Sequence, residues 1–350
     1  MRRGSAVGLD IGASCVRAAE VVLRASGPTL VRFGQVALPT GAVEAGAVRQ
    51  PEVVTAAIRS LWAATALPRR PVMLGVGNPG VVVRALDLPF YRSRDELRSA
   101  LPYLVGDQVP MDDGETVIDF APLEEVISSD GTRQLSGLLV AGSEATIACS
   151  VDCVLAAGLR VASVDLNPLA LLRASVPTPG LGLRARPEAI VDVGAELTSV
   201  VVHEDGMPRL VRILAMGGAA VSRALVADLQ LSAPQAEAAK RELAGPAPAP
   251  DVARTAARIT QDMVGEIRGS LDYFGATSPT GPVTRVVLTG GGSRMAGLAP
   301  ALGDGLRVPV ERGSGFVGVD VSGSGLTEAQ LVYVDPLAPV AVGLAMGAAA

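Results

Sequence analysis

Two copies of an Asp-x-Gly turn, each set between apolar β-rich runs, constrain this chain more than any other feature. The first is Val7-Gly8-Leu9-Asp10-Ile11-Gly12-Ala13-Ser14, leading into Cys15-Val16-Arg17. The second is Ile190-Val191-Asp192-Val193-Gly194-Ala195-Glu196, leading into Leu197-Thr198-Ser199-Val200-Val201-Val202. In each, an apolar run stops at a carboxylate, a glycine tolerates a tight turn, and a second run begins. A hairpin tip of this kind aims successive backbone N–H groups at one point and so cradles an anion. An aspartate beside a phosphate is repelled unless a hydrated divalent cation lies between them, which makes Mg²⁺ the natural partner of Asp10 and Asp192. Two such tips about 180 residues apart predict two domains clamping one nucleoside triphosphate.

A length of 350 residues agrees with about two domains. The net charge of −5 offers no basic footprint, so nucleic acid is not expected as a partner. Met1-Arg2-Arg3 is followed by too few apolar residues for a signal peptide before Asp10 interrupts, and the apolar stretch Ala338–Ala350 is too short to span a bilayer. The expected compartment is cytoplasmic, with no transmembrane segment. Cys15, Cys149 and Cys153 make no disulfide framework; with His203 the single histidine, Cys149 and Cys153 read as buried structural thiols rather than a metal pair.

Residues 5–38 read as a three-stranded meander, Ser5–Ile11, Cys15–Leu23 and Leu30–Leu38. A helix follows with Pro51 in its first turn and Val54, Ile58, Leu61 and Trp62 on one face, and then a strand, Val72–Val76. Residues 86–160 have a different texture: a helix from Ser93, strands Val117–Pro122 and Leu135–Ala141 around a polar tip, and a helix Ser143–Ala157 ended by Gly158. They read as a small α/β module inserted into the first domain, which resumes at Leu159–Asp165. After a linker rich in Pro, Gly and Arg, Pro177–Pro187, the meander recurs as Ala189–Val193, Leu197–His203 and Pro208–Leu214. Helices at Gly218–Gln230, Pro234–Leu243 and Val252–Phe274, a strand Arg285–Thr289 and a helix Ala296–Gly305 complete the pattern. The expected class is α/β: a first domain over 1–85 and 161–180, the inserted module over 86–160, and a second domain over 188–350 with a helical part at 217–275.

Gly290-Gly291-Gly292, directly after a predicted strand, lets backbone lie close against a flat base or a phosphate. One glycine-rich loop or one Asp-x-Gly turn is weak evidence; the three in this order point to nucleotide binding.

At these residues the chain resembles the actin-like ATPase superfamily, whose two related, ribonuclease H-like domains hold ATP between two phosphate hairpins and an adenosine loop. Within it the chain is most similar to the PilM family of type IV pilus assembly proteins, with the FtsA-like inserted module. The resemblance runs over nearly the whole chain. Its stretches are Gly8–Gly12, Ala156-Ala157-Gly158-Leu159 leading to Val164-Asp165, Asp192-Val193-Gly194, Gly217-Gly218, Ala236–Arg241, Glu266–Phe274 and Leu288–Gly292.

The resemblance implies that Asp10 and Asp192 hold Mg²⁺ through water. It implies that the backbones of Gly12, Ala13, Ser14 and Cys15, and of Gly194, Ala195 and Glu196, wrap the phosphates of ATP or ADP, with Thr198 close by. Gly217, Gly218, Gly290, Gly291 and Gly292 then flank the adenosine, and Glu237 and Lys240, three apart on one helix, reach the ribose or base, the alternative being a solvated ion pair. Asp165-Leu166-Asn167-Pro168 departs from an Asp-x-Glu-Pro pattern. Asn167 holds a water but cannot take its proton, so turnover is expected to be slow or absent, with Asp165 a weaker alternative as base.

The family further implies a scaffold on the cytoplasmic face of the inner membrane. It would bind the N-terminal peptide of PilN beside the inserted module and meet pilus assembly ATPases and platform proteins. The oligomer stays open between monomer, homodimer and ring. Leu88-Pro89-Phe90-Tyr91 open the module and either line the peptide groove or pack its core. An FtsA-like filament protein and a kinase of the same superfold are the alternatives; the tail lacks the basic face of an amphipathic anchor, and Asn167 argues against the kinase.

Overall fold

The structure, a computed structural model, describes residues 4–106, 109, 115–176 and 186–349. The expected linker at 177–187 lies outside the described residues as far as 185.

The first lobe begins with the strands β1 (Ser5–Ile11), β2 (Cys15–Arg24) and β3 (Gly27–Ala37), followed by a small hairpin of β4 (Val43–Glu44) and β5 (Ala47–Val48). Helix α1 (Pro51–Thr65) comes next; Pro51 supplies a pre-set φ in its first turn, and Val54, Ile58, Leu61 and Trp62 are its buried face. Strand β6 (Val72–Val76) then pairs in parallel with β1. A separate antiparallel sheet is built from β7 (Val82–Pro89), β8 (Thr116–Ile127) and β9 (Arg133–Ser143), in the order β7-β9-β8, with α2 (Arg94–Val105) packed on it. Ser93 caps α2 through the Asp95 N–H. Helix α3 (Glu144–Ala156), β10 (Val161–Leu166) and α4 (Asn167–Ser175) return the chain to the first sheet, whose order is β10-β6-β1-β2-β3.

The second lobe repeats this plan. β11 (Glu188–Val193), β12 (Thr198–Glu204) and β13 (Met207–Leu214) form the meander, and α5 (Ala219–Leu229), α6 (Ala233–Glu242) and α7 (Pro250–Thr277) are its helical part. β14 (Arg285–Thr289) runs into a 3₁₀ turn at Gly291–Arg294, followed by α8 (Leu298–Leu306) and β15 (Val310–Arg312). The sheet order β13-β12-β11-β14-β15 is the first sheet over again: two antiparallel pairings on one side of the first strand, two parallel ones on the other. Each sheet presents fully buried valines and leucines to its helices, each side chain worth about 1.5–3 kcal/mol of transfer free energy.

Two boundaries differ from expectation. The module's sheet is drawn from residues 82–143, so the expected span 86–160 starts inside β7 and takes in α3, whose Cys153 and Val154 belong to the first lobe's core. Leu88 and Tyr91 pack in the module's own core. The larger difference is at the end of the chain. After α9 (Glu328–Val334) and a 3₁₀ turn at Asp335–Leu337, α10 (Pro339–Ala349) leaves the second lobe and packs on the first sheet, its Ala341, Val342 and Ala345 buried with Ala19, Val21 and Leu30. Asp320 joins the same edge, its N–H donating to the Pro28 carbonyl at 2.9 Å. The span 188–350 is therefore not one unit. Small residues make the return possible: Gly343 lies so close to α4 that a Cβ would overlap the Ala170 carbonyl. Composition shows an apolar tail but not which sheet it covers.

Candidate functional site

Between the lobes lies a cleft of about 530 Å³. Both Asp-x-Gly tips line it, together with Thr40, Gly41 and Gly46 around the β4–β5 hairpin, Gly290–Gly292, and Pro336, Leu337, Pro339 and Val340 at the entry to α10. The tips are closed in the same way. The Gly12 N–H donates to the Cys15 carbonyl at 3.0 Å, and the Gly194 N–H to the Leu197 carbonyl at 2.8 Å. The start of α5 is docked on the second tip, the Gly218 and Ala219 N–H groups donating to the carbonyls of Gly194 and Ala195 at 2.9 and 2.7 Å.

Asp10, Gly12, Ala13, Ser14, Asp192, Gly194, Ala195, Glu196, Gly218, Glu237, Lys240, Gly290, Gly291, Gly292 and Asn167 all line the cleft. Four expected residues do not. Asp165 is held by Arg173, whose guanidinium pairs with its Oδ2, while its Oδ1 accepts from the Leu166 N–H at 2.8 Å; it is spent on anchoring α4. Thr198 is fully buried and donates to the Met216 carbonyl at 2.7 Å, bracing the second tip from behind. Gly217 sits in the same place, where a Cβ would press on the Ala195 and Gly194 carbonyls at 2.6 Å. Cys15 contributes its carbonyl to closing the first tip and no lining surface.

Asp10 is 7% exposed, with Arg17 Nη1 at 3.6 Å from its Oδ2 and Asn167 Nδ2 donating to its Oδ1 at 3.5 Å. Burial pushes its carboxyl up, and the charge and hydrogen bond of Arg17 pull it only part of the way back. Asp192 is pushed up to about 7, first by burial and then by the charge of Asp10, with Arg17 opposing. The two carboxylates thus face one cleft and repel each other across it. The Asn167 Oδ1 is buried beside them without a hydrogen-bond partner among the described residues. Among the described residues no three His, Cys, Asp or Glu side chains converge. A cation here would rest on two carboxylates and take its other oxygens from water or phosphate, a set suited to Mg²⁺.

On the far wall Lys240 Nζ donates to Glu237 Oε1 at 2.7 Å, to Ser222 Oγ at 2.8 Å and to the Gly218 carbonyl at 3.4 Å. Burial alone would raise Glu237, but the hydrogen bonds of Lys240 and Ser222, with the charges of Lys240 and Arg241, carry it below its ordinary value. The pair is a half-buried ionic rim, not a solvated one.

Sequence reasoning missed Arg17, Ser199 and the β4–β5 hairpin. Arg17 was legible in principle, since it lies directly across the hairpin from Asp10 in the β1–β2 register, as Ser199 does from Asp192. The hairpin carries no motif.

Two lobes of repeated topology around a glycine-lined, two-carboxylate cleft define the actin-like ATPase fold. The family model of the type IV pilus assembly protein PilM matches residues 8–349, and the chain belongs to that family. Among solved structures it is similar to a PilM–PilN type IV pilus biogenesis complex, with a TM-score of 0.85 and 27% identity, over 99% of each chain. The fold also matches ethanolamine utilization protein EutJ from Carboxydothermus hydrogenoformans (TM-score 0.56, 15% identity, 99% of this chain and 90% of that one). It matches MreB5 of Spiroplasma citri bound to ADP as well (TM-score 0.51, 11% identity, 90% and 92%). Cell division protein FtsA of Bacillus subtilis (strain 168) is 26% identical over 110 residues, 31% of this chain and 24% of that protein. The match thus spans about a quarter of that curated relative. Among the described residues no single helix is long and apolar enough to cross a membrane.

Proposed function

We propose that this protein binds ATP or ADP with Mg²⁺ in the interlobe cleft and serves as a cytoplasmic scaffold of type IV pilus assembly. As such it holds the N-terminal tail of PilN at the inner membrane. The convergence of Asp10 and Asp192, one from each lobe, on one glycine-lined cleft is the observation that carries the nucleotide reading. Membership of the PilM family over 8–349 and the likeness to a PilM–PilN complex support the pilus role.

Asp10 and Asp192 would hold the hydrated cation, and the backbones of Gly12–Ser14 and Gly194–Glu196 the phosphates. Glu237, Lys240 and the 290–292 turn would take the nucleoside. Asn167 orients a water but accepts no proton, and Asp165 is occupied by Arg173, so turnover is slow or absent. The same occupation of Asp165 weighs against a kinase, and α10 is itself committed to packing on the first lobe.

Thermal unfolding with Mg²⁺-ATP tests the site. At 100 times the dissociation constant the nucleotide should stabilise the fold by about 2.7 kcal/mol. Asp10→Ala and Asp192→Ala should each remove that shift, and a shift that survives both would overturn the assignment. Anisotropy with a labelled PilN-tail peptide tests the partner. No binding at millimolar protein, with and without nucleotide, would overturn the scaffold role.

A further inference from the structure

One polar contact spans the mouth of the cleft. The Ala45 N–H, at the tip of the β4–β5 hairpin, donates to Glu196 Oε2 at 2.7 Å, from the first lobe to the second. Ala45 (φ 46°) and Gly46 (φ 80°) are both left-handed, as the two central residues of a tight hairpin turn require, and this turn aims the Ala45 N–H outward. The other carboxylate oxygen of Glu196 lies 3.5 Å from Arg223 Nη1 on α5, so the side chain is gripped from its own lobe as well. Glu196 lines the cleft from the second lobe, and Gly46 of the hairpin, with Thr40 and Gly41 just before it, from the first. The backbone of Glu196 belongs to the second tip; its side chain does something else, reaching across to the facing lobe. A carboxylate accepting from a backbone amide is among the stronger neutral-to-charged hydrogen bonds.

We propose that Glu196 and the β4–β5 hairpin form a latch that holds the lobes shut and sets the rate at which nucleotide enters and leaves. The latch rests on the nucleotide-binding reading of the cleft. It exists in the closed molecule whether the cleft is filled or empty, so breaking it raises the open population in both states by the same factor. Entry and exit then accelerate together and the dissociation constant hardly moves. A lost contact to the nucleotide would instead accelerate exit alone.

Stopped-flow binding of a fluorescent ATP analogue with Mg²⁺ to the full chain separates the two. For Glu196→Ala both rate constants should rise about tenfold, as expected for one hydrogen bond to a charged group. Glu196→Gln keeps an acceptor for the Ala45 N–H and should fall between. Arg223→Met, at a largely exposed position, frees the carboxylate from its second anchor and should accelerate both rates by about two- to threefold, which keeps the test open if Glu196→Ala does not fold. Rates within twofold of the parent for Glu196→Ala, unchanged rates for Arg223→Met, or faster exit alone would overturn the latch while leaving the nucleotide site standing. Failure of the parent chain to bind the analogue would overturn the site and the latch together.

Discussion

The two lobes share one strand order and one way of closing an Asp-x-Gly tip, yet they treat their aspartates differently. Asp10 faces Arg17 across the hairpin; in the equivalent register of the second lobe Asp192 faces Ser199. Burial raises both carboxyls, but the ion pair with Arg17 and the hydrogen bond from Asn167 go to Asp10; Arg17 reaches Asp192 by charge alone, and Asp192 is left at about 7. Repetition of topology therefore does not repeat the electrostatics. The lobes differ also in what covers their sheets. Helices close in sequence pack on one face of each sheet, α1 and α3 in the first lobe and α7 and α8 in the second, but the first sheet depends also on α10 from much later in the chain.

The covering helix offers the largest effect. Gly343→Leu forces a side chain into the Ala170 backbone and should cost about 3 kcal/mol. Urea unfolding followed through Trp62, the single tryptophan and a first-lobe core residue, should show an earlier midpoint. An unchanged midpoint would mean that α10 does not hold the first lobe together.

The asymmetry of the tips gives a pH-dependent effect of intermediate size. A carboxyl raised in the folded protein binds its proton more tightly there than in the unfolded chain. The nucleotide-free protein therefore loses stability as pH rises from about 4, where the unfolded aspartate titrates, to about 7. Asp192→Asn removes that loss. It should stabilise the empty protein by on the order of 1 kcal/mol at pH 8, after allowance for solvent screening, and by almost nothing near pH 4. Melting curves across that range check the sign; a gain largest at low pH would refute it.

Ser199→Arg should have the smallest effect and sharpens the comparison most. It gives the second tip the cation that the first already has, and should lower the Asp192 titration by about one pH unit. NMR titration of the Asp192 carboxyl reads this directly, and no movement would show that register equivalence does not carry side-chain equivalence.

Much of this molecule was legible in its residues. The strands around Asp10 and Asp192, the buried face Val54, Ile58, Leu61 and Trp62 of α1, and the strand Arg285–Thr289 before the glycines follow from local pattern, and the structure has them there. Of the site, the carboxylates and glycines of the tips were readable because a turn imposes its residues locally. Thr198, Gly217, Cys15 and Asp165 do not line the cleft, since proximity in sequence to a tip does not say on which side of it a residue stands.

The sequence by itself determined the duplicated meander, because period-two burial and tight turns are written in neighbouring residues. Only the tertiary structure decided that α10 closes the first lobe, that Arg17 pairs with Asp10 while Ser199 stands opposite Asp192, and that Glu196 crosses to Ala45. Each joins residues far apart in the chain or opposite in a register, and such contacts are selected by packing and burial of the whole fold, which no local pattern encodes.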